Sequence, residues 1–538
     1  MVLRVLIICA LAVSSHFCKT VRSPRKKIDK RALTSTIERD SSWGFLRFNV
    51  DWSAVTANEK ELYEKYIDPA FVYFSNALQV HQITSSSLWD EFYYNENDYC
   101  KSFFEKYTGK VIENTDMLVM ITMEYNSDDG YIAYSTNCGY DPETDQPIAT
   151  LLNFNKAYME VTDNTVDELI STSIHELAHS LGFNYDDMGY FKKSDGSSYS
   201  NSELFTTLNI RGLTDQIFLS TPKVKELARK EFGCSDLPGV QLENQGGDGS
   251  LYQHWDKRMM ATDYMMPDSM LSDIVYSDIS LAVFEDSGWY NPDYSYATEI
   301  NFGYGQGCDF IEEKCIVNEE AIAEEFCTDT ETMFCDFSYL SYGYCGLYED
   351  SEIPQEFQYF SDETIGGDYF NDYCPLNEGT YDCRSEFTAT SDYGEKFGLN
   401  CRCVEGTFSK AGNTEYHASC HQITCNSDSF DVKIGSVTVT CNTDGEEISI
   451  KGYSGTMICP PFDRICADAP CRNMCYGGKC VNGLCENGGD ADNFKGIDYP
   501  DYGNFSDYDT SDGDSSDESG SEAGFIMIYI LHLIAGLY

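Results

Sequence analysis

Eighteen of the chain's 23 cysteines fall between Cys308 and Cys485, and that density constrains the fold more than any other feature of the sequence. Cysteines so closely spaced, among Gly and Tyr and few long periodic segments, pair as disulfides in an oxidising compartment and predict a β- and loop-rich region after about Asn301. The remainder is built differently. The 538 residues are 42% hydrophobic and 14% aromatic, enough to bury real cores in several domains. Lys+Arg 36 against Asp+Glu 89 gives a net charge of −53. Such a field repels phosphate backbones, so nucleic acid is excluded as a partner.

Both ends of the chain agree with export. Residues 1–15 read as a signal peptide, with Arg4, the apolar run Val5 to Val13, then Ser14 and Ser15. Residues 16–40 are basic, with Lys19, Arg22, Arg25, Lys26, Lys27, Lys30, Arg31 and Arg39 against an acidic body, the pattern of a propeptide held partly by charge. At the other end, an acidic Ser/Gly/Asp linker over 487–524 precedes the 14-residue apolar tail 525–538. The tail is shorter than the ~20 residues a membrane helix needs. Small residues, a polar spacer and a short apolar end form a glycosylphosphatidylinositol (GPI) anchor signal, with Ser511, Ser515 and Ser519 as candidate attachment sites. Localisation is expected in the secretory pathway, at the cell surface through this anchor or secreted.

Between the ends, the periodicity predicts a mixed α+β fold. Leu46, Phe48 and Val50 alternate as in a strand, Glu59 to Val80 has helical spacing, and Met117 to Tyr125, Tyr131 to Tyr134 and Ile148 to Phe154 read as further strands. From Asp163 to Gly182 the apolar residues Val166, Leu169, Ile170, Ile174, Leu177, Ala178 and Leu181 recur at three and four residues, between a capping run and a glycine. This predicts one amphipathic helix of about five turns. Residues 184 to about 250 read as polar and irregular with a helix near Val224 to Phe232, and Ser277 to Trp289 as a last helix.

The predicted helix carries His175-Glu176-Leu177-Ala178-His179. Histidines four apart project from one face about a turn apart and can reach a single zinc ion. Glu176, beside the first of them, can take a proton from an activated water without binding the metal. A catalytic zinc takes three protein ligands. Among the other histidines His254 is the best third ligand, and ten residues later Tyr264-Met265-Met266-Pro267 forms a tight turn carrying methionines, as found beneath the metal of metzincin proteases. Glu203, 203 − 179 = 24 residues past the second histidine, is the competing third ligand.

With these residues in hand, the chain resembles the leishmanolysin family of surface metzincin proteases. Ile174 to Phe183 looks like that family's zinc helix, including Gly182, and the 254 − 182 = 72 residues before His254 match its long insertion. Met265 matches the Met-turn residue. Gly307 to Phe310 and Tyr344 to Leu347 resemble its C-terminal region, and Leu281 to Tyr290 its helix after the Met-turn. The resemblance implies a metzincin-type domain over 41–300 (a mixed twisted sheet with an active-site helix, insertion 184–253). A Cys-rich, mostly β and loop domain over 301–458 follows, and Cys471, Cys475, Cys480 and Cys485 resemble an EGF-like module over 459–486, truncated because Cys485-Glu486-Asn487 stands where a terminal Cys-x-Cys is expected. It also implies that His16-Phe17-Cys18 is a cysteine switch, Cys18 holding the open zinc position until the propeptide is cut.

The function expected is that of a zinc endopeptidase. His175, His179 and His254 hold one zinc, Glu176 acts as general base, and polypeptides, tilted toward basic ones by the negative field, are the substrates. The alternative is a catalytically idle surface protein whose Cys-rich half serves adhesion or ligand binding. Removing Cys9 and Cys18 with the leader leaves 23 − 2 = 21 cysteines, so one thiol lacks an intramolecular partner.

Overall fold

The computed structural model describes residues 17–20, 37–86, 98–466, 479–481 and 484–486, apart from short gaps at 108–109, 129, 160–165, 269–273, 298–299, 301, 351, 385–386, 388 and 399. The signal peptide, most of the basic leader, the EGF-like cysteines Cys471 and Cys475, the acidic linker and the anchor signal lie outside them.

Its centre is a five-stranded sheet. The strands are β1 (Phe17–Thr20), β2 (Phe48–Asp51), β3 (Met117–Glu124), β4 (Tyr131–Tyr140) and β5 (Pro147–Asn155), in the order β1-β4-β5-β3-β2. β2, β3 and β5 run parallel, β4 is antiparallel to β5, and β1 lies parallel to β4 on the sheet's edge. β5 is buried throughout and β3 over its first five residues, which is why they read as continuous apolar runs and not as alternation.

Helix α1 (Ala57–Ala77) starts at a capping box in which Thr56 and Glu59 satisfy each other's backbone N–H. It ends three residues before the expected Val80. Leu78, Val80 and Ile83 continue instead as the strand Leu78–Ser86, which pairs with Ile37–Phe45. Helix α2 (Val166–Ser180) packs on α1, β4 and β5. It does not depart from the expected start at Val166, and the capping run 163–165 lies outside the described residues. Nor is it amphipathic in effect, for every residue from Leu169 to Asn184 is buried.

The segment expected to be irregular before residue 250 is ordered by a three-stranded sheet of Phe205–Ile210, Leu213–Leu219 and Val240–Gln241, with helix α3 (Pro222–Phe232) between its last two strands. Ile210 and Leu213 face each other across a two-residue turn, and Arg211 and Gly212 both have positive φ (54° and 87°). This is the hairpin turn whose twist suits adjoining strands. Arg211 is an unusual residue for it, and its side chain explains why it is held there. The guanidinium is buried, donating to Ile311 O (2.8 Å), Gln241 Oε1 (2.8 Å) and Asp372 Oδ2 (3.0 Å).

Helix α4 (Asp278–Asp286) is capped by Ser277, whose side chain accepts from Ser280 N. Beyond it, the apolar core does not divide near residue 301. Ile300, Phe302, Phe310, Ile316, Phe326 and Leu376 belong to the same buried cluster as Phe74, Ile174 and Met265. Further on, a six-stranded antiparallel sheet (Cys401–Gly406, His417–Cys425, Phe430–Ile434, Val437–Cys441, Glu447–Ser449 and Thr456–Ile458) encloses a separate cluster around Val404, Phe408, Val432 and Met457.

Eight disulfides join cysteines from Cys100 to Cys466. One of them, Cys234–Cys308, ties the end of α3 to the Cys-rich half. Cys401 is the free cysteine among the described residues, and it is buried. No described helix is long and apolar enough to cross a membrane.

Candidate metal centre

The helix that carries His175 and His179 ends on a glycine for two physical reasons. Gly182 has φ +114°, and a Cβ there would meet the Trp289 ring at 2.8 Å. Around it, Phe183 N donates to Ala178 O (3.0 Å) and Gly182 N to His179 O (3.1 Å), a Schellman closure of the helix. This turn directs the Phe183 carbonyl back at the helix, where it accepts from His179 Nδ1 at 2.6 Å.

His175 is fixed in the same way by a different element. Its Nδ1 lies 2.7 Å from Tyr264 O, in the turn that contains Met265. That turn is fastened by Asp263, whose carboxylate accepts from Met265 N (2.7 Å), from Ser280 Oγ (2.8 Å) and from Ser277 Oγ. Burial pushes the Asp263 pKa up to about 7.

His254 arrives on the far end of the insertion. Leu242 forms a bridge with Trp255, Glu243 N donates to His254 O, and Trp255 N donates to Met265 O. The turn that contains Met265 therefore braces two of the three histidines through its backbone carbonyls. His254 Nδ1 lies 3.2 Å from Ser250 Oγ.

The result is three buried imidazoles whose Nε2 atoms converge. Those of His175 and His179 are 3.0 Å apart, and those of His179 and His254 are 3.3 Å apart. With Nδ1 of His175 and of His179 donating to carbonyls, both Nε2 atoms present lone pairs to each other and cannot hydrogen-bond. Zinc–imidazole bonds of about 2.0–2.1 Å at tetrahedral angles place ligand nitrogens about 3.3 Å apart. Spacing, tautomer and burial thus fit one zinc-sized cation. Burial also lowers the pKa of His175 to about 4 and those of His179 and His254 well below the usual value, so all three are neutral, the ligand form, at pH 7. Among the described residues no other His, Cys, Asp or Glu joins this group.

Glu176 is fully buried on the same helix. Met265 is fully buried in the core. Glu203 is elsewhere engaged: it is the acidic member of a capping box with Ser200 and pairs with Lys193 at 2.6 Å, which lowers its pKa to about 2. The competing two-histidine, one-glutamate set is therefore not formed. For Cys18 the strand backbone is described and the side chain is not. Asp263 and the carbonyls of Phe183 and Tyr264 were not evident from the sequence, since a backbone acceptor leaves no residue signature.

Comparison with known proteins settles the family. The leishmanolysin family model matches residues 55–473, well over half of the chain and all three histidines. The chain belongs to the leishmanolysin family. The leishmanolysin-like peptidase of Caenorhabditis elegans is 27% identical over 464 residues, covering 70% of this chain and 69% of that protein. The leishmanolysin homolog of Crithidia fasciculata is 27% identical over 443 residues (77% and 64%), and leishmanolysin of Leishmania chagasi 29% identical over 379 (66% and 60%). This chain spans under two thirds of the latter two relatives' length.

Proposed function

We propose that this protein is a zinc-dependent endopeptidase of the metzincin type that cuts extracellular or surface polypeptides. The observation that carries the reading is the convergence of three neutral, buried imidazole nitrogens on the helix that also bears Glu176. His175, His179 and His254 are the residues that would hold the ion. When bound, zinc supplies Lewis-acid chemistry, lowering the pKa of a water to about 7 and polarising a carbonyl. Glu176 takes the proton as water attacks the scissile carbonyl and passes it to the leaving amine. Tyr264 O and Phe183 O keep the two helix imidazoles in the Nδ1–H tautomer, so that Nε2 stays available. Met265 anchors the turn from below through the core.

The leader is proposed to inhibit the site, with Cys18 as the blocking ligand. Support comes from the backbone of β1, which adds to the β4 edge and touches α2. An extended polypeptide adding to the same edge would compete with it. Surface attachment through the GPI signal at 525–538 is proposed on composition.

The deciding experiment compares zinc content and cleavage of an unfolded protein by the chain processed to about Ser41 and by its Glu176→Ala variant. One zinc in both, with cleavage in the parent and almost none in the variant, supports the peptidase reading. A parent that holds zinc and cuts nothing in any processing state overturns it in favour of an idle surface protein.

A further inference from the structure

The Cys-rich half contains a cavity of about 310 Å³ that shares no residue with the histidine site. Its lining residues include the aromatics Phe334 and Tyr339 and the acidic Glu324, Asp329, Asp336 and Glu405 against one cation, Arg464. The cation that lines it, Arg464, is already satisfied: its guanidinium meets Glu324 at 2.6 Å and Glu325 at 3.8 Å and donates to Phe337 O. Glu405 contributes a carboxylate held by Cys335 N (2.8 Å) and by the Tyr416 hydroxyl (2.7 Å). Those two bonds use half of its roughly four lone-pair sites. Asn377 donates through Nδ2 to Cys335 O at 3.0 Å, which fixes its amide in the wall.

A pocket with spare acceptors, a balanced arginine and aromatic walls complements a group rich in donors and carrying positive charge. An ammonium offers three donors and a guanidinium five, and neither accepts. The apolar stem of such a side chain packs on rings while its head pairs with carboxylate, and ring faces attract cations. The volume is at the low end for ligand sites, which suits one side chain and not a whole cofactor. Burial raises the pKa of Glu405, so its charge is costly where it stands and a cation beside it offsets that cost.

We propose that this cavity binds a single lysine or arginine side chain of a polypeptide. If the peptidase reading holds, the cavity gives a substrate a second point of attachment away from the metal. The acidity of the whole molecule, net −53, favours approach of basic chains to it.

The test uses the full chain carrying Glu176→Ala, so that binding is read without cleavage and does not depend on the peptidase reading. The probes are N-acetyl-lysine methylamide, N-acetyl-arginine methylamide and the neutral N-acetyl-norleucine methylamide, titrated by ligand-observed magnetic resonance. Both cationic probes are expected to bind saturably, to compete with each other, and to weaken as salt is raised, with norleucine about tenfold weaker. Adding Glu405→Gln, checked to melt at the parent's temperature, is expected to weaken the cationic probes about tenfold and leave norleucine unchanged. The competition and the salt dependence need no variant of the cavity. Absence of saturation, equal binding of norleucine, or a folded Glu405→Gln chain with undiminished affinity for the cations would each overturn the proposal.

Discussion

At the scale of single residues, the site is a problem of aiming lone pairs. Two histidines on one helix were legible in the sequence because a spacing of four fixes their common face. His254 was legible only by elimination and family pattern, since nothing local marks it. What orients the rings was not legible: Phe183 O, Tyr264 O and the carboxylate of Asp263 behind the Met-turn. Replacing His254 with Ala is expected to abolish stoichiometric zinc binding, read by metal analysis after dialysis. Asp263→Ala removes three buried hydrogen bonds from the turn that holds Tyr264 O. Metal affinity, measured by chelator competition, should fall by about tenfold, with unaltered affinity showing that the turn keeps its shape without the carboxylate.

At the scale of elements, β2 to β5 of the central sheet and helices α1 to α4 followed from periodicity, with errors concentrated at ends, while β1, in the basic leader, was not read as a strand. The strand Leu78–Ser86 was hidden because the helical spacing of α1 runs straight into it. The insertion's hairpin was missed because its turn, Arg211-Gly212, lacks the usual asparagine. Tertiary contacts to Asp372 and Ile311 hold the left-handed backbone that a local signal normally reveals. The end of α2 gives a sharp prediction. Gly182→Ala would combine an unfavourable positive φ with a Cβ 2.8 Å from Trp289, and should destabilise the fold by about 2–4 kcal/mol, visible as a lower melting temperature.

The six-stranded sheet has its own pH dependence. Burial lowers the pKa of His421 to about 3, so the folded form stays neutral while the unfolded form takes up a proton below about 6.5. Its effect on stability is nil above that value and grows as pH falls toward 3, by about 1.4 kcal/mol per unit at most. Thermal melts from pH 7 to pH 4 should therefore fall more steeply for the parent than for His421→Gln. Parallel curves would show that the imidazole takes up its proton without unfolding.

For the whole molecule, cysteine density marked the disulfide-rich half but not the way it is joined to the rest. The cluster that contains Ile174 and Met265 also contains Phe302, Phe310, Phe326 and Leu376, and Arg258, four residues after His254, lies over the rings of Phe310 (4.9 Å) and Phe326 (4.4 Å). Periodicity cannot reveal such packing, because it depends on residues distant in the chain. A chain ending at residue 300 would leave this surface bare. It is expected to be recovered aggregated, in contrast to one ending at residue 466, as size-exclusion chromatography of the two would show.

The bond between Cys234 and Cys308 encloses 74 residues of sequence separation, and within that loop lie both His254 and the Met-turn. Closing it removes about 4 kcal/mol of chain freedom from the unfolded ensemble, all of it from the segment that must find α2. With the two thiols reduced that freedom returns, and His254 is expected to reach His175 and His179 more slowly as the chain folds.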